Sequence, residues 1–183
     1  VQVLDPTMLL DKEDYIRLVP SPKKRGGLFC YVLDRNEEKQ SVIASIAHRT
    51  SLTAFENMPL LEPTTYNLYG DIEKCVVPPV EDWLSAFMEA EMVVTDSFHG
   101  CVFSIIFNKP FWVIGNKERG MARFDSLLQL YGLQDRLISP ADMGNVDIHK
   151  SIDWERVNQR RNGLKAEAIS FIEKTLKIKG LGN

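Results

Sequence analysis

A chain of 183 residues has the length of one domain and can bury roughly two thirds of the surface its unfolded form exposes. With 44% apolar and 26% charged residues it matches ordinary globular composition, which excludes a disordered, collagenous or coiled-coil chain. Lys and Arg number 22 against 25 Asp and Glu, a net charge of −3, so no broad basic field exists for nucleic acid; a small anion needs only a local site.

The three cysteines, Cys30, Cys75 and Cys101, are odd in number and scattered through apolar runs. They have neither disulfide-framework nor zinc spacing, which points to a reducing, cytoplasmic compartment and to no metal site. No run reaches the roughly 18 apolar residues of a membrane span. The opening Val1-Gln2-Val3-Leu4-Asp5-Pro6 has neither an initiator Met nor a signal pattern, and reads as a cut within a longer chain.

In chain order, Val1–Leu10 is expected to end a strand, with Asp5-Pro6 as a turn, and Lys12–Leu18 to form a helical turn. Pro20-Ser21-Pro22-Lys23-Lys24-Arg25-Gly26-Gly27 is the linker candidate, making 1–27 an interdomain segment and 28–183 the domain proper. Leu28–Leu33 (LFCYVL) suits a strand buried on both faces. Asp34 or Asn36 can cap a helix over Glu37–Arg49, whose stripe is Val42, Ile43, Ile46 and Ala47. Leu52–Phe55 is a strand candidate, and within the irregular Asn57–Pro79 only Cys75–Val77 is strand-like. Then follow a helix over Glu81–Glu91, a strand Met92–Val94, a helix Phe98–Phe107, a strand Phe111–Ile114 and a helix Ala122–Leu130 closed by Gly132. A long helical region spans Ser151–Lys177. Trp83, Trp112 and Trp154 read as core residues. Short apolar strands alternating with helices predict a doubly wound, Rossmann-like parallel sheet of the α/β class.

Such sheets bind ligands beyond the carboxyl ends of their strands. The junction richest in polar groups is Val93-Val94-Thr95-Asp96-Ser97-Phe98-His99-Gly100. A helix starting there presents unsatisfied N–H groups and a positive dipole end to an anion. Ser97 can cap that helix or bond a phosphate, Gly100 permits a close approach, and Asp96 can cap the helix or orient His99. Asp34 and Arg35, after the first strand, and Asn116-Lys117-Glu118-Arg119-Gly120, after Ile114, occupy the same sheet edge. His48, near a helix end, reads as a solvated residue or a partner of the helix dipole, and His149, in an irregular stretch, carries no argument.

The segment TDSFHGCVFSIIFNKPF, Thr95 to Phe111, resembles the signature of the polysaccharide pyruvyl transferase family. Val3–Thr7, Phe29–Leu33, Pro78–Leu84, Arg123–Leu128 and Leu133–Arg136 are similar to its flanking stretches. The resemblance implies the C-terminal, donor-binding domain of a GT-B-type enzyme whose N-terminal domain is absent here. It also implies transfer of a pyruvyl group from phosphoenolpyruvate to two sugar hydroxyls as a ketal, in bacterial exopolysaccharide biosynthesis. On this reading the chain needs no cofactor beyond the phosphoenolpyruvate donor. Its acceptor is a sugar or lipid-linked oligosaccharide, its place cytoplasmic or peripheral at the inner membrane face, and the isolated piece inactive. His99 is then the catalytic proton donor or the stabiliser of the leaving phosphate. Thr95, Asp96, Ser97, Phe98 and Gly100 bind the donor with Asp34 and Arg35. Other branches of the family carry Arg where this chain has Ser97, which leaves Arg119 and Arg123 as the nearest cations for the donor. The alternatives are a GT-B glycosyltransferase using a nucleotide sugar and a non-catalytic, anion-binding α/β module.

Overall fold

A computed structural model describes residues 3–19, 26–59, 71–115 and 120–176. Its five strands are β1 (Leu28–Tyr31), β2 (Ala54–Phe55), β3 (Met92–Thr95), β4 (Phe111–Ile114) and β5 (Leu137–Ile138). The helices are α1 (Lys12–Ile16), α2 (Glu37–Thr50), α3 (Val80–Glu89), α4 (Phe98–Ile106), α5 (Met121–Tyr131) and α6 (Trp154–Leu176). All strand pairs are parallel, in the order β2-β1-β3-β4-β5. From β1 the chain winds outward to β2, then returns to β3 and proceeds the other way. The winding direction therefore reverses between β1 and β3, which opens a crevice at their carboxyl ends. This is the Rossmann-like α/β sheet expected of a GT-B-type C-terminal domain.

Both faces of the sheet are covered because its residues alternate between two apolar layers. Phe29, Val93, Phe111 and Val113 pack with α3, α4, α5 and α6 on one face. Leu28, Cys30, Val94, Trp112 and Ile114 pack on the other, with Val42, Ile43 and Ile46 of α2 and with Met143 and Ile148. The registers Cys30↔Val94 and Val94↔Trp112 keep like-facing residues in line across three strands.

Helix ends follow side-chain chemistry. Asn36 accepts from the Lys39 amide at 2.9 Å and starts α2, so Asn36 rather than Asp34 is its cap. Asp153 accepts from the Arg156 amide at 3.0 Å, which places the start of α6 at Trp154 and not at Ser151. Gly132, in the left-handed region at φ 67°, closes α5 as expected.

Three segments depart from expectation. Pro6–Leu9 is a 3-10 turn and not a strand end, because the Asp5 carboxylate accepts from the Thr7 amide at 3.0 Å and Pro6 presets a helical φ. Ile72–Cys75 is likewise a 3-10 turn, followed by exposed Val76 and Val77 rather than by a strand. The short β5 was not anticipated; it adds to the edge through Val113↔Leu137 and Ile114↔Ile138. Leu4, Met8, Tyr15 and Val19, from the stretch expected to connect domains, are buried in the α3–α6 layer. The ring of Tyr15 meets Phe103 edge-on at 5.0 Å, and Asp11 pairs with Lys165 of α6 at 2.8 Å. Of the linker candidate Pro20–Gly27, residues 20–25 lie outside the described residues, as does the end of the last helix at Lys177, while Gly26 and Gly27 adopt positive φ of 69° and 85° ahead of β1.

The thiols divide by environment. Burial pushes the Cys30 thiol up to about 12 and the Cys101 thiol higher still, whereas Cys75 is only partly buried. Thiol titration of the native chain should therefore modify Cys75 alone, with Cys30 and Cys101 reacting only on unfolding. Rapid modification of two or three thiols in the native state would contradict this packing.

Candidate functional site

The turn between β3 and α4 is built by short-range bonds among its own residues. Thr95 is fully buried; its hydroxyl donates to the Tyr31 carbonyl at 2.7 Å and accepts from the Ser97 amide at 3.0 Å. It thereby joins the ends of β1 and β3 at the switch point. Ser97 caps α4, its hydroxyl accepting from the Gly100 amide at 3.4 Å. The amides of Phe98 and His99, in the first turn at the positive end of the helix, meet no backbone acceptor among the described residues.

Gly100 is required here, for a different reason than ligand approach. A Cβ at that position would run into Thr95 Oγ1, so the close neighbour is the protein's own side chain. Gly100→Ala is expected to cost about 1–3 kcal/mol or more, read as a lower denaturation midpoint. Adding Thr95→Ala should recover part of the loss; if the double variant is no better than the single one, the contact is not the cause.

The bonds described for Asp96 run to the loop after β1 and to α2. Its carboxylate, with no exposed surface, accepts from the Leu33 amide at 2.7 Å and the Asp34 amide at 3.1 Å, and pairs with Lys39 Nζ at 2.6 Å. It clamps the loop after β1 onto the β3–α4 turn, where Ser97 caps α4. Lys39, 6% exposed, was missed by the sequence reading. Its signal was available: Lys39, Val42, Ile43 and Ile46 share one helical face, which places an ammonium at the head of an apolar stripe.

On the other flank of α4, His99 keeps its side chain 47% exposed, with Nε2 3.7 Å from Asp5 Oδ2. That is too long for a hydrogen bond but forms an ion contact whenever the ring carries a proton. The Phe98 and His99 rings meet edge-on at 5.6 Å. The Arg123 guanidinium lies 4.4 Å over the Phe98 ring, a cation–π contact that holds it beside the first turn. A recess of about 280 Å³ lined by Asp5, Phe98, Arg123 and Ser126 opens here. The fold thus gathers His99, Phe98 and Arg123, and adds Asp5 from the first described segment.

Asp34 and Arg35 separate. Asp34 lines a larger cavity of about 530 Å³ at the ends of β4 and β5, whereas Arg35 Nη2 pairs with Glu56 at 2.9 Å. Arg119 lies outside the described residues. Among the described residues no three His, Cys, Asp or Glu side chains converge as a metal site, and no helix is long and apolar enough to cross a membrane.

A parallel sheet whose winding reverses at β1 and β3, with the capped helix α4 following β3, defines a domain of the Rossmann-like α/β kind. Comparison with known proteins makes the assignment specific. The family model described as "Polysaccharide pyruvyl transferase" matches residues 1–118, and the chain belongs to that family of transferases. No curated protein matches. Among solved structures the chain is similar to one titled "Crystal Structure Analysis of the Glycotransferase of kitacinnamycin", at 15% identity and a TM-score of 0.52. The match covers 85% of this chain and 44% of that one, so the chain spans under half the length of that protein. At such identity the likeness concerns the fold.

Proposed function

We propose that this chain is the donor-binding half of a polysaccharide pyruvyl transferase, which moves the pyruvyl group of phosphoenolpyruvate onto two sugar hydroxyls as a cyclic ketal. The observation that carries the reading is the first turn of α4, where the helix N-terminus, the half-exposed His99 and the Arg123 guanidinium stand together at the sheet's carboxyl edge. Phosphoenolpyruvate presents a phosphate and a carboxylate. Helix amides and an arginine fork suit both groups, through charge-assisted bonds.

The reaction needs a proton on the methylene carbon of the donor. Protonation leaves a cation at the adjacent carbon, which a sugar hydroxyl attacks while losing its own proton. The C–O bond to phosphate then breaks, and a second hydroxyl closes the ketal as its proton passes to the released phosphate. His99 supplies the first proton or stabilises the departing phosphate, with Asp5 beside its ring. The reaction is proposed to take place in the bacterial cytoplasm or at the inner membrane face, on a sugar or lipid-linked oligosaccharide acceptor. The second domain of the GT-B-type enzyme completes the cleft, and the donor-binding half alone turns over little.

Calorimetry separates this reading from a nucleotide-sugar enzyme. Phosphoenolpyruvate is expected to bind the full-length protein, with an affinity that falls about fivefold to thirtyfold in Arg123→Ala through loss of one charge-assisted contact. Binding of a nucleotide sugar without any heat from phosphoenolpyruvate would replace the proposal.

A further inference from the structure

The two oxygens of the Asp5 carboxylate have different partners. Oδ1 accepts from the Thr7 amide at 3.0 Å and from the Thr7 hydroxyl at 2.6 Å. Oδ2 stands 3.7 Å from His99 Nε2. Thr7 is itself fixed, because the Tyr15 hydroxyl donates to its carbonyl at 2.8 Å. Tyr15 packs edge-on against Phe103 and Phe107 of α4, with ring centres 5.0 and 6.3 Å apart, and Met8, next to Thr7, is fully buried. The segment that carries Asp5 is therefore seated on the helix that carries His99. Packing on α4, and not a free side-chain rotation, brings the carboxylate to the imidazole.

Capping alone does not require this residue. The cap of Pro6–Leu9 uses Oδ1, and Asn or Ser would supply that acceptor equally well. A carboxylate adds a negative charge, and its second oxygen carries that charge to the ring. The positive end of α4 and the Arg123 guanidinium, stacked on the neighbouring Phe98, both repel a positively charged imidazole. Asp5 is the carboxylate that contacts the ring among the described residues. The contact is long in the resting protein, and contacts of this kind commonly tighten in the reacting complex.

We infer that Asp5 is a positioning residue for His99, holding the ring through Nε2 so that Nδ1 is the nitrogen that meets the donor. The inference rests on the function proposed above. In the protonation step the imidazolium gives its Nδ1 proton to the methylene carbon, whose π pair forms the new C–H bond. The ring is left neutral, with its Nε2–H on Asp5. The same pairing neutralises Asp5, which would otherwise repel an anionic donor from the recess it lines.

Asp5→Asn separates this role from capping, because the amide oxygen still accepts from Thr7 while the charge facing His99 is gone. Melting temperatures of the full-length wild type, Asp5→Asn, His99→Ala and the double variant are compared at pH 5.5 and 8.5. The lower pH lies between the ordinary carboxylate and imidazole ranges. There Asp5→Asn should lower the melting temperature by about 1–2 °C when His99 is present and not in His99→Ala, with no such difference at pH 8.5. Equal effects in both backgrounds at pH 5.5 would overturn the inference and leave Asp5 a cap. Phosphate release from phosphoenolpyruvate is then followed with methyl glucopyranoside, methyl galactopyranoside and methyl mannopyranoside as acceptors. Asp5→Asn should lower kcat by about tenfold to a hundredfold, part of what a proton-transfer group contributes. KM for phosphoenolpyruvate should hold, and His99→Ala should lose nothing more on adding Asp5→Asn. Full kcat in Asp5→Asn beside a silent His99→Ala would overturn the positioning role and leave the proposed function standing. A wild type without transfer, with the melting cycle as expected, would count against that function and leave the Asp5–His99 pair in place.

Discussion

Replacing His99 with Ala is expected to lower phosphate release from phosphoenolpyruvate, and ketal formation with it, by about 10²–10⁴-fold, the usual contribution of a positioned proton-transfer group. The same variant should fold normally. Its side chain is 47% exposed and, among the described residues, makes a long contact with Asp5 and an edge contact with Phe98, so stability should change by no more than about 0.5 kcal/mol. Activity is measured with the full-length protein, an acceptor sugar and a phosphate assay, and folding by thermal melting. A fully active His99→Ala enzyme would remove the residue from the chemistry and shift attention to Arg123. Equal losses of activity and folded protein would make His99 a structural residue instead.

The periodic parts of the fold were legible in the sequence. Leu28–Leu33, Met92–Val94 and Phe111–Ile114 are apolar on both faces, as strands covered by helices on either side must be. Helices with long stripes, such as α2 and α4, announced themselves as well. β5 did not, since two residues, Leu137 and Ile138, have no period to detect and owe their pairing to β4. Val76 and Val77 misled in the opposite sense: β-branched residues suggest a strand, yet these two are exposed after a 3-10 turn.

Around the site, legibility tracked sequence distance. The Ser97 cap bonds an amide three residues on, and such local geometry can be read directly. Asp96 reaches partners 57, 62 and 63 residues away, in a loop that only the β1–β3 pairing brings near. Its role as a clamp could not be read from the residues beside it. The contact between Asp5 and His99 is of the same kind, made when the first described segment packs under α4. Local chemistry marked where the site lies, and non-local pairing decided which carboxylate faces which base.

The Asp96–Lys39 pair should be the most sensitive polar feature of the domain. Both side chains are nearly inaccessible, at 0% and 8% exposure, and the carboxylate also satisfies two backbone amides. Asp96→Ala strands an ammonium and two N–H groups at once, a loss of about 3–5 kcal/mol for breaking such a pair. For a chain of this size that is a fall in melting temperature of about 6–20 °C. Asp96→Asn should cost less, because an amide oxygen still accepts from the loop while Lys39 turns toward the cavity it lines. In a double-mutant cycle with Lys39→Met the coupling should be about 0.5–3 kcal/mol. Amide exchange at Leu33 and Asp34 should accelerate in Asp96→Ala well beyond the exchange in β4, because those two N–H groups are the ones the carboxylate holds. Uniform acceleration across the sheet would instead mean that the pair acts only on global stability. A loss below about 1 kcal/mol would mean that water reaches the pair and screens it as at a surface. If the loop loosens while the sheet holds, Asp34 owes its position to one buried carboxylate, that of Asp96.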